Sequence, residues 1–396
     1  MSIDEIFKQF RTNQQEIEIT IQDLKNNLKQ YLDKIVLYGA GSAGIAFLHY
    51  LNDVEIYPRF FSDGDVEKHG KKCEGVEIIP PSEIVDKLGK DVLVIVTINT
   101  DGKSYCRDFK QALLKEGHQG VHKTLEELGC TNILDYVYFR KCFSMFRGGR
   151  YNLPACPDAY LMAEHEEEIK KVYELLADQT SKEIFCGIVQ FRMLNGEVGI
   201  PTVSEEKQYF EYDLFPRRSD EVFLDCGACG GSSLKIFLNE NHNQFERYYG
   251  IEPDTYNYDR LVRYISSLPL EVQSKICTIN KAVFDNEGFT NFFVLNGPGT
   301  FASSTGETPI RTKTIDNILT GNKVTYIKMN IEGSEVPALR GAEKTIRLQR
   351  PRMAIMGYHK TSDLWEVPLL MKKYNPGYKI WLKSYMRNIA FCYFAE

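Results

Sequence analysis

The spacing of hydrophobic positions changes several times along the chain, and each change marks an element. From residue 3 to about 32, Ile3, Phe7, Phe10, Ile17, Ile21, Leu24, Leu28 and Leu32 recur at mostly helical spacing, with no Gly or Pro between them. This predicts one long helix that packs on the next domain or pairs with a second copy of the chain. Apolar runs then alternate with amphipathic stretches. Ile35–Tyr38, Ile56–Phe61, Val76–Ile79 and Val92–Val96 read as strands, while the stretch up to Leu51, Glu83–Leu88 and Tyr105–Gly117 read as helices. Residues 123 to 215 are aromatic-rich and mainly helical in pattern, with helices expected over 158–177 and 185–194. Alternation resumes at Glu221. Strands are expected at 222–225, 247–251, 275–279, 290–295, 325–329, 353–357, 377–382 and 389–394, and helices at 231–239, 255–266, 314–319, 336–346 and 363–373.

Alternating strand and helix implies parallel sheets covered on both faces. The expected class is α/β: two doubly wound, Rossmann-like domains joined by a mainly helical connector and preceded by a helix. The expected bounds are 1–32 for the helix, 33–122 for the small domain, 123–215 for the connector and lid, and 216–396 for the larger domain. A length of 396 residues, 43% hydrophobic, suits two or three domains. The net charge of -6 favours neither a nucleic-acid backbone nor an anionic membrane as the main partner. No stretch is long and apolar enough to span a bilayer, and the N-terminus lacks the pattern of a secretory signal. Ten cysteines are scattered without a disulfide framework, and Cys226–Cys229 has no second pair or His cluster to complete a metal site. The expectation is a cytoplasmic protein with reduced thiols and no metal.

Two glycine turns follow strands. The first is Gly39-Ala40-Gly41-Ser42-Ala43-Gly44, a full GxGxxG between strand and helix, with Asp63 at the end of the next strand where a ribose-binding acid falls. It is a candidate site for a nucleotide or sugar nucleotide, or a purely structural turn. No later segment offers an obvious hydride-transfer centre for an NAD(P)-dependent oxidoreductase built on it.

The second turn, Asp225-Cys226-Gly227-Ala228-Cys229-Gly230-Gly231, begins with a carboxylate that would repel a phosphate. A cationic amino-acid head suits Asp225 better. S-adenosylmethionine has an ammonium, a sulfonium and a ribose, and no phosphate. Gly227, Ala228, Cys229 and Gly231 would approach it closely. Glu252 and Pro253, at the end of the second strand, would meet the ribose, and Lys281 and Ala282 would lie beside the adenine. The alternative is that Asp225 and Glu252 are turn and cap carboxylates.

The ordered motifs of the C-terminal half resemble the FkbM-type S-adenosylmethionine-dependent methyltransferases. They are Phe223–Gly231, Gly250-Ile251-Glu252-Pro253-Asp254, Thr314–Leu319, Tyr326-Ile327-Lys328-Met329-Asn330-Ile331-Glu332-Gly333-Ser334-Glu335, Ala338–Ala342, Arg350-Pro351 and Tyr358-His359-Lys360. Together they span roughly residues 205 to 396. The resemblance implies methyl transfer to a hydroxyl of a sugar, glycan or secondary metabolite. The N-terminal half resembles the small Rossmann-like domain found beside sugar-modifying transferases. Two positions depart from the family pattern. Asn330 stands where the family has Asp, and an amide neither carries charge nor acts as a base. Cys229 stands where Asn is frequent.

Among candidate catalytic residues, His359 follows a strand end and is the leading general base. Glu332 is the second, and Lys328 and Asn330 lie on the same strand and its exit. Glu332 and Glu335 also suit the start of a helix, where acids are favoured. Residues 136–151 or 195–215 are expected to form a lid that excludes water. The rival to an active transferase is a binding or assembly protein that keeps the fold and has lost turnover through Asn330.

Overall fold

Ile35, Val36 and Leu37 are fully buried and Tyr38 nearly so, as expected of a central strand covered on both faces. In the computed structural model, which describes residues 1–98, 120–135, 159–194, 208–294, 300–302, 306, 308–385 and 390–396, they form β1 (Ile35–Tyr38). The expected helix Tyr105–Gly117, the aromatic segment 136–151 and residues 195–207 lie outside the described residues. The chain divides into two compact units. One comprises Met1–Glu164 and Val189–Glu197, the other His165–Ile188 and Val198–Glu396.

In the first unit β1 is joined by β2 (Phe60–Ser62), β3 (Lys72–Cys73), β4 (Val76–Ile79), β5 (Leu93–Val96) and β6 (Asn132–Asp135). The sheet order is β3-β4-β2-β1-β5-β6, parallel except for the β3–β4 pair. Strand β6 lies beyond the expected boundary at 122. Ile133 and Leu134 pair with β5 and are buried, so the alternation runs to 135. The N-terminal helix Ile3–Leu28 opens with a capping box between Ser2 and Glu5. It buries Ile3, Ile6, Phe7, Phe10 and Leu28, and Phe10 meets Tyr160 edge-on at 5.6 Å. At these residues the stripe packs within its own unit; the side chains of Ile17, Ile21 and Leu24 lie outside the described ones.

The second unit has two sheets. The larger contains β7 (Val222–Cys226), β8 (Arg247–Ile251) and β9 (Ile276–Ile279). The smaller is formed by β10 (Ala282–Val283), β11 (Gly288–Phe293), β12 (Phe301–Ala302) and β13 (Thr308–Lys313), in the order β10-β13-β11-β12. The larger sheet is completed by β14 (Tyr326–Met329), β15 (Arg352–Met356), β16 (Ile380–Tyr385) and β17 (Ala390–Ala395). Its order is β16-β17-β15-β14-β7-β8-β9, with β17 antiparallel to both neighbours. From β7 the chain proceeds outward to β8 and β9, then returns on the other side as β14 and β15. The order therefore reverses between β7 and β14, and the crevice beyond their carboxyl ends is where such sheets bind ligands.

The smaller sheet departs from expectation in β10, β12 and β13, which were not anticipated. Thr308–Lys313 is too polar, and carries a proline, to read as a strand. The expected helix 336–346 is two helices, Glu335–Arg340 and Glu343–Gln349, broken at Gly341, where a Cβ would meet the carbonyl oxygen of Phe284 at 2.1 Å. The expected connector is not a separate body in its described residues. Helices Glu166–Leu175 and most of Gln179–Leu194 belong to the second unit. Leu176 bridges to Ile380, Ser181 Oγ accepts the Leu382 N–H at 2.9 Å, and His165 stacks on Trp365 at 4.8 Å.

One face of the larger sheet is filled by aromatic rings. Phe223 stacks on Tyr326 at 5.1 Å and meets Phe237 and Phe210, sealing the base of β7 and β14. At the strands' entry, Arg352 pairs with Glu221 in buried surroundings and donates to the Pro216 carbonyl at 2.9 Å.

The first unit depends on a close helix–strand approach. A Cβ on Gly44 would sit 1.9 Å from the carbonyl oxygen of Gly39. We expect Gly44→Ala to destabilise this unit by about 1–3 kcal/mol through overpacking. Hydrogen exchange should then show faster opening of the β1 amides, whereas unchanged protection would contradict the close approach.

Candidate active site

The site is built at the β7–β14 switch. Asp225, one residue before the end of β7, has no exposed surface. Its Oδ1 accepts Lys328 Nζ at 2.8 Å, and its Oδ2 accepts the hydroxyls of Tyr248, at 2.7 Å, and Ser233. Lys328, opposite it on β14, also donates to the carbonyls of Gly227 at 2.8 Å and Cys226 at 3.3 Å. Three acceptors therefore surround the three protons of this ammonium. Asp225 was expected to touch a ligand's cationic head; instead it has no exposed surface, its oxygens accept from Lys328, Tyr248 and Ser233, and it is not among the residues that line the cavity.

The turn after β7 is held against β8. Gly227 adopts φ 84°, and a Cβ there would lie 2.1 Å from the carbonyl oxygen of Asn330, so only glycine fits. Cys229, at φ 36°, donates its N–H to Glu252 Oε2 at 2.9 Å, and Asp254 donates its N–H to Oε1 at 3.0 Å. Burial pushes the Glu252 pKa up to about 7, against the pull of these two N–H donors. Each oxygen keeps a lone pair for a further donor.

Beyond β14 the chain turns sharply through Asn330-Ile331-Glu332-Gly333, with Glu332 at φ 53° and Gly333 at φ 88°. Glu335 staples this turn: Oε1 accepts the Ile331 N–H at 2.8 Å and Oε2 the Gly333 N–H at 2.9 Å. Behind it lies His359, with Nδ1 at 2.9 Å from Glu335 Oε1 and Nε2 at 3.7 Å from Glu332 Oε1. The imidazole thus lies between two carboxylates. Burial opposes its charging, but Glu335, Tyr358 and Glu332 outweigh burial and hold its pKa well above 6.5. Burial raises the Glu335 pKa, but His359 and the backbone N–H groups of Ile331 and Glu335 itself outweigh it and keep the carboxyl below its ordinary range. His359, expected as a general base, thus lies beneath the turn and outside the cavity lining, among carboxylates that favour its charged form.

Asp363 completes this cluster. Its Oδ2 accepts the Lys360 N–H at 2.7 Å, and burial, then the charge of Glu335, pushes its pKa up to about 7. Ligand atoms of Glu335, His359 and Asp363 lie within 4.8 Å of one another, a grouping the sequence did not reveal. Both Glu335 oxygens and Asp363 Oδ2 accept backbone N–H groups, whereas Asp363 Oδ1 and the two ring nitrogens of His359 are buried without a hydrogen-bond partner among the described residues.

A cavity of about 290 Å³ opens at these strand ends. Of the anticipated cofactor contacts, Gly227, Cys229, Glu252, Pro253, Lys281 and Ala282 line it. Ala228 and Gly231 are buried in the turn behind. Of the anticipated catalytic residues, Lys328, Asn330 and Glu332 line it and His359 does not. The sequence reading passed over Tyr209, Ser232, Asn257 and Thr300, which also line the wall. Tyr209 was hidden in an aromatic run that read as connector; Ser232 and Ser233 could have been found as the first residues of the helix Ser232–Glu240.

In the first unit, Gly39 has φ 112° and precedes the helix Ser42–Asp53 as expected. Asp63 Oδ2 accepts the Ala40 N–H at 2.8 Å and Lys68 Nζ at 2.9 Å, and Oδ1 accepts the Asp65 N–H at 2.9 Å. Burial raises its pKa, but these partners outweigh it and hold the carboxyl below its ordinary range. The acid thus closes its own glycine turn, which gives a structural reason for its position.

Comparison with known proteins adds the following. Residues 225–379, within the second unit, match the model of the Methyltransferase FkbM domain. A crystal structure of Methyltransferase FkbM from Methylobacillus flagellatus KT is similar over 94% of this chain and 93% of that one, at 20% identity and a TM-score of 0.63. This likeness establishes the fold. UDP-D-quinovosamine 4-dehydrogenase from Vibrio fischeri covers 26% of this chain and 76% of its own, at 23% identity and a TM-score of 0.19. The N-terminal domain of human METTL16 covers 63% of this chain and 97% of its own, at 11% identity and a TM-score of 0.32. Both scores are too low to carry an argument. No curated protein matches the chain. Among the described residues, no helix is long and apolar enough to cross a membrane.

The buried cluster yields a prediction for the second unit, which holds both tryptophans, Trp365 and Trp381. The pKa values of His359 and Asp363 are raised on folding. Their stabilisation is present below the unfolded values and is lost as pH rises through the folded ones. For Asp363 that loss falls on the approach to about pH 7. In urea denaturation followed by tryptophan fluorescence, His359→Gln should cost about 3–5 kcal/mol, because it leaves the buried Glu335 carboxylate without its cation. Asp363→Asn should flatten the loss of stability toward pH 7. A cost under about 1 kcal/mol for His359→Gln would contradict the bracing role.

Proposed function

We propose that the second unit is an S-adenosylmethionine-dependent methyltransferase that acts on a hydroxyl of a sugar, glycan or secondary metabolite. The observation that carries this reading is Glu252, a buried carboxylate at the end of β8 that faces the cavity within the matched methyltransferase domain. Its two oxygens are arranged to accept the two hydroxyls of a ribose. Ile236, Ile251, Ala282, Val283 and Phe292 offer an apolar wall for an adenine ring. Lys328 is paired with Asp225 and so offers no free charge to a phosphate, and an adenosyl compound without phosphates fits. S-adenosylmethionine supplies an electrophilic methyl group on a sulfonium.

The chain's own residues align the reactants and take the acceptor's proton. Glu332 suits proton removal better than His359. Its carboxylate lines the cavity, whereas His359 lies beneath the turn, outside the lining, where its neighbours favour the charged form. Asn330 does not remove this function, because it serves as a hydrogen-bonding group in the wall. A reading without turnover, as a binding or assembly protein, is separated from this one by whether S-adenosylhomocysteine is released in the presence of hydroxylated acceptors. A reducing, cytoplasmic setting is part of the proposal and is supported by seven described cysteines, all free thiols.

Calorimetry with S-adenosylmethionine tests the reading. The parent protein should bind, and Glu252→Ala should weaken binding by about 10–100-fold, the cost of losing hydrogen bonds to a charged group. Affinity should also fall as pH drops below about 7, where Glu252 gains a proton and loses an acceptor site. Glu252→Gln should remove that dependence. Absence of binding by the parent would sink the proposal.

A further inference from the structure

Tyr209 holds a backbone conformation that side chains rarely adopt, φ 73°, and is almost fully buried. Several contacts fix it there. Its carbonyl accepts the Tyr326 hydroxyl, its ring faces Lys328 Nζ at 5.0 Å, and its hydroxyl oxygen accepts Asn330 Nδ2 at 2.8 Å. Burial, then the neighbouring Tyr358 and Cys392, raises the phenol pKa well above 10, so the group keeps its proton. With the oxygen already accepting from Asn330, that proton is available as a donor. On the other side of the amide, Asn330 Oδ1 is buried and has no hydrogen-bond donor among the described residues. A buried acceptor of this kind calls for a partner. Both residues line the cavity.

The pair thus presents one donor and one acceptor, locked to each other and both neutral. Neither charged neighbour can do the same work. Lys328 is surrounded by Asp225, Cys226 and Gly227 oxygens, and Asp225 has no exposed surface. The same cavity is lined by Ser232 and Ser233, the first residues of the nine-residue helix Ser232–Glu240. Its positive end favours an anion nearby.

We propose that Tyr209 and Asn330 hold the zwitterionic α-amino-acid end of the methyl donor, the phenol donating to the carboxylate and the amide oxygen accepting from the ammonium. This rests on the methyl-donor reading above. It assigns the amino-acid end to two residues outside the glycine turn, where the sequence had suggested Asp225. A neutral donor–acceptor pair matches a group whose own charges cancel, and it leaves the sulfonium uncompensated by any full charge from this side.

The test compares two ligands by calorimetry: S-adenosylhomocysteine, which has the amino-acid end, and 5′-methylthioadenosine, which lacks it. Tyr209→Phe and Asn330→Ala should each weaken S-adenosylhomocysteine by about ten-fold. Methylthioadenosine should change by less than about two-fold, which also reports that the variants are folded. Equal losses for both ligands, or no loss for either, would overturn the inference while leaving the methyl-donor reading intact. A parent protein that binds neither nucleoside would overturn both.

Discussion

The buried pair between Asp225 and Lys328 governs this site. Two full charges with 0% and 2% side-chain exposure face each other across β7 and β14, 103 residues apart in sequence. Such a pair is costly to desolvate and persists only when its remaining donors and acceptors are satisfied. Here Tyr248 and Ser233 complete the carboxylate, and the carbonyls of Cys226 and Gly227 complete the ammonium. The ammonium therefore fixes the first carbonyls of the glycine turn at the point where the sheet order reverses. The chemistry of the cavity wall follows, because the charges that set its shape are spent inside the protein.

A second ionic group does the corresponding work on the far side of β14. Glu335 holds the N–H groups of Ile331 and Gly333, and His359 supplies the opposing charge. The turn it braces carries Glu332 in a left-handed conformation that a free chain would seldom populate. One ionic group thus aims Gly227 and Cys229, the other aims Asn330 and Glu332, and the two meet where Gly227 packs against the Asn330 carbonyl. Among the described residues, the remaining wall is made of apolar side chains, neutral hydroxyls and amides, Lys281 and the buried acid Glu252.

Much of this was legible in the sequence. The strands of the larger sheet and the helix Thr255–Ser266 follow directly from apolar runs and periodicity, because burial imposes those patterns. The glycine turn and Glu252 were also visible, since backbone freedom and a strand-end acid leave marks in one local segment. Convergence from distant segments was not visible. A carboxylate at a strand end looks the same whether it meets a ligand or a lysine, and only the pairing of β7 with β14 brings Lys328 to Asp225. His359 was misread for the same reason: its basicity depends on Glu335 and Glu332, which no spacing rule places beside it. Tyr209 gave no signal, because its value comes from an unusual φ and from a partner 121 residues away. Strands β11 and β13 pair with each other over mostly exposed, polar residues, so no alternation announced β13.

Asn330 is best understood through the charge that methyl transfer consumes. In the proposed reaction a cationic donor becomes a neutral thioether, so positive charge on sulfur is already dispersing in the transition state. A carboxylate at 330 would hold the ground state more strongly than the transition state, and binding of that kind does not raise turnover. An amide can orient the same groups without that bias. Because Asn330 donates to Tyr209, it also turns the phenol proton toward the cavity, whereas a carboxylate at this position would capture that proton for itself. An amide in place of a carboxylate here therefore sets the hydrogen-bond polarity of the wall. On this reasoning Asn330 and Tyr209 form one functional unit, and the identity of either residue has meaning only in the presence of the other.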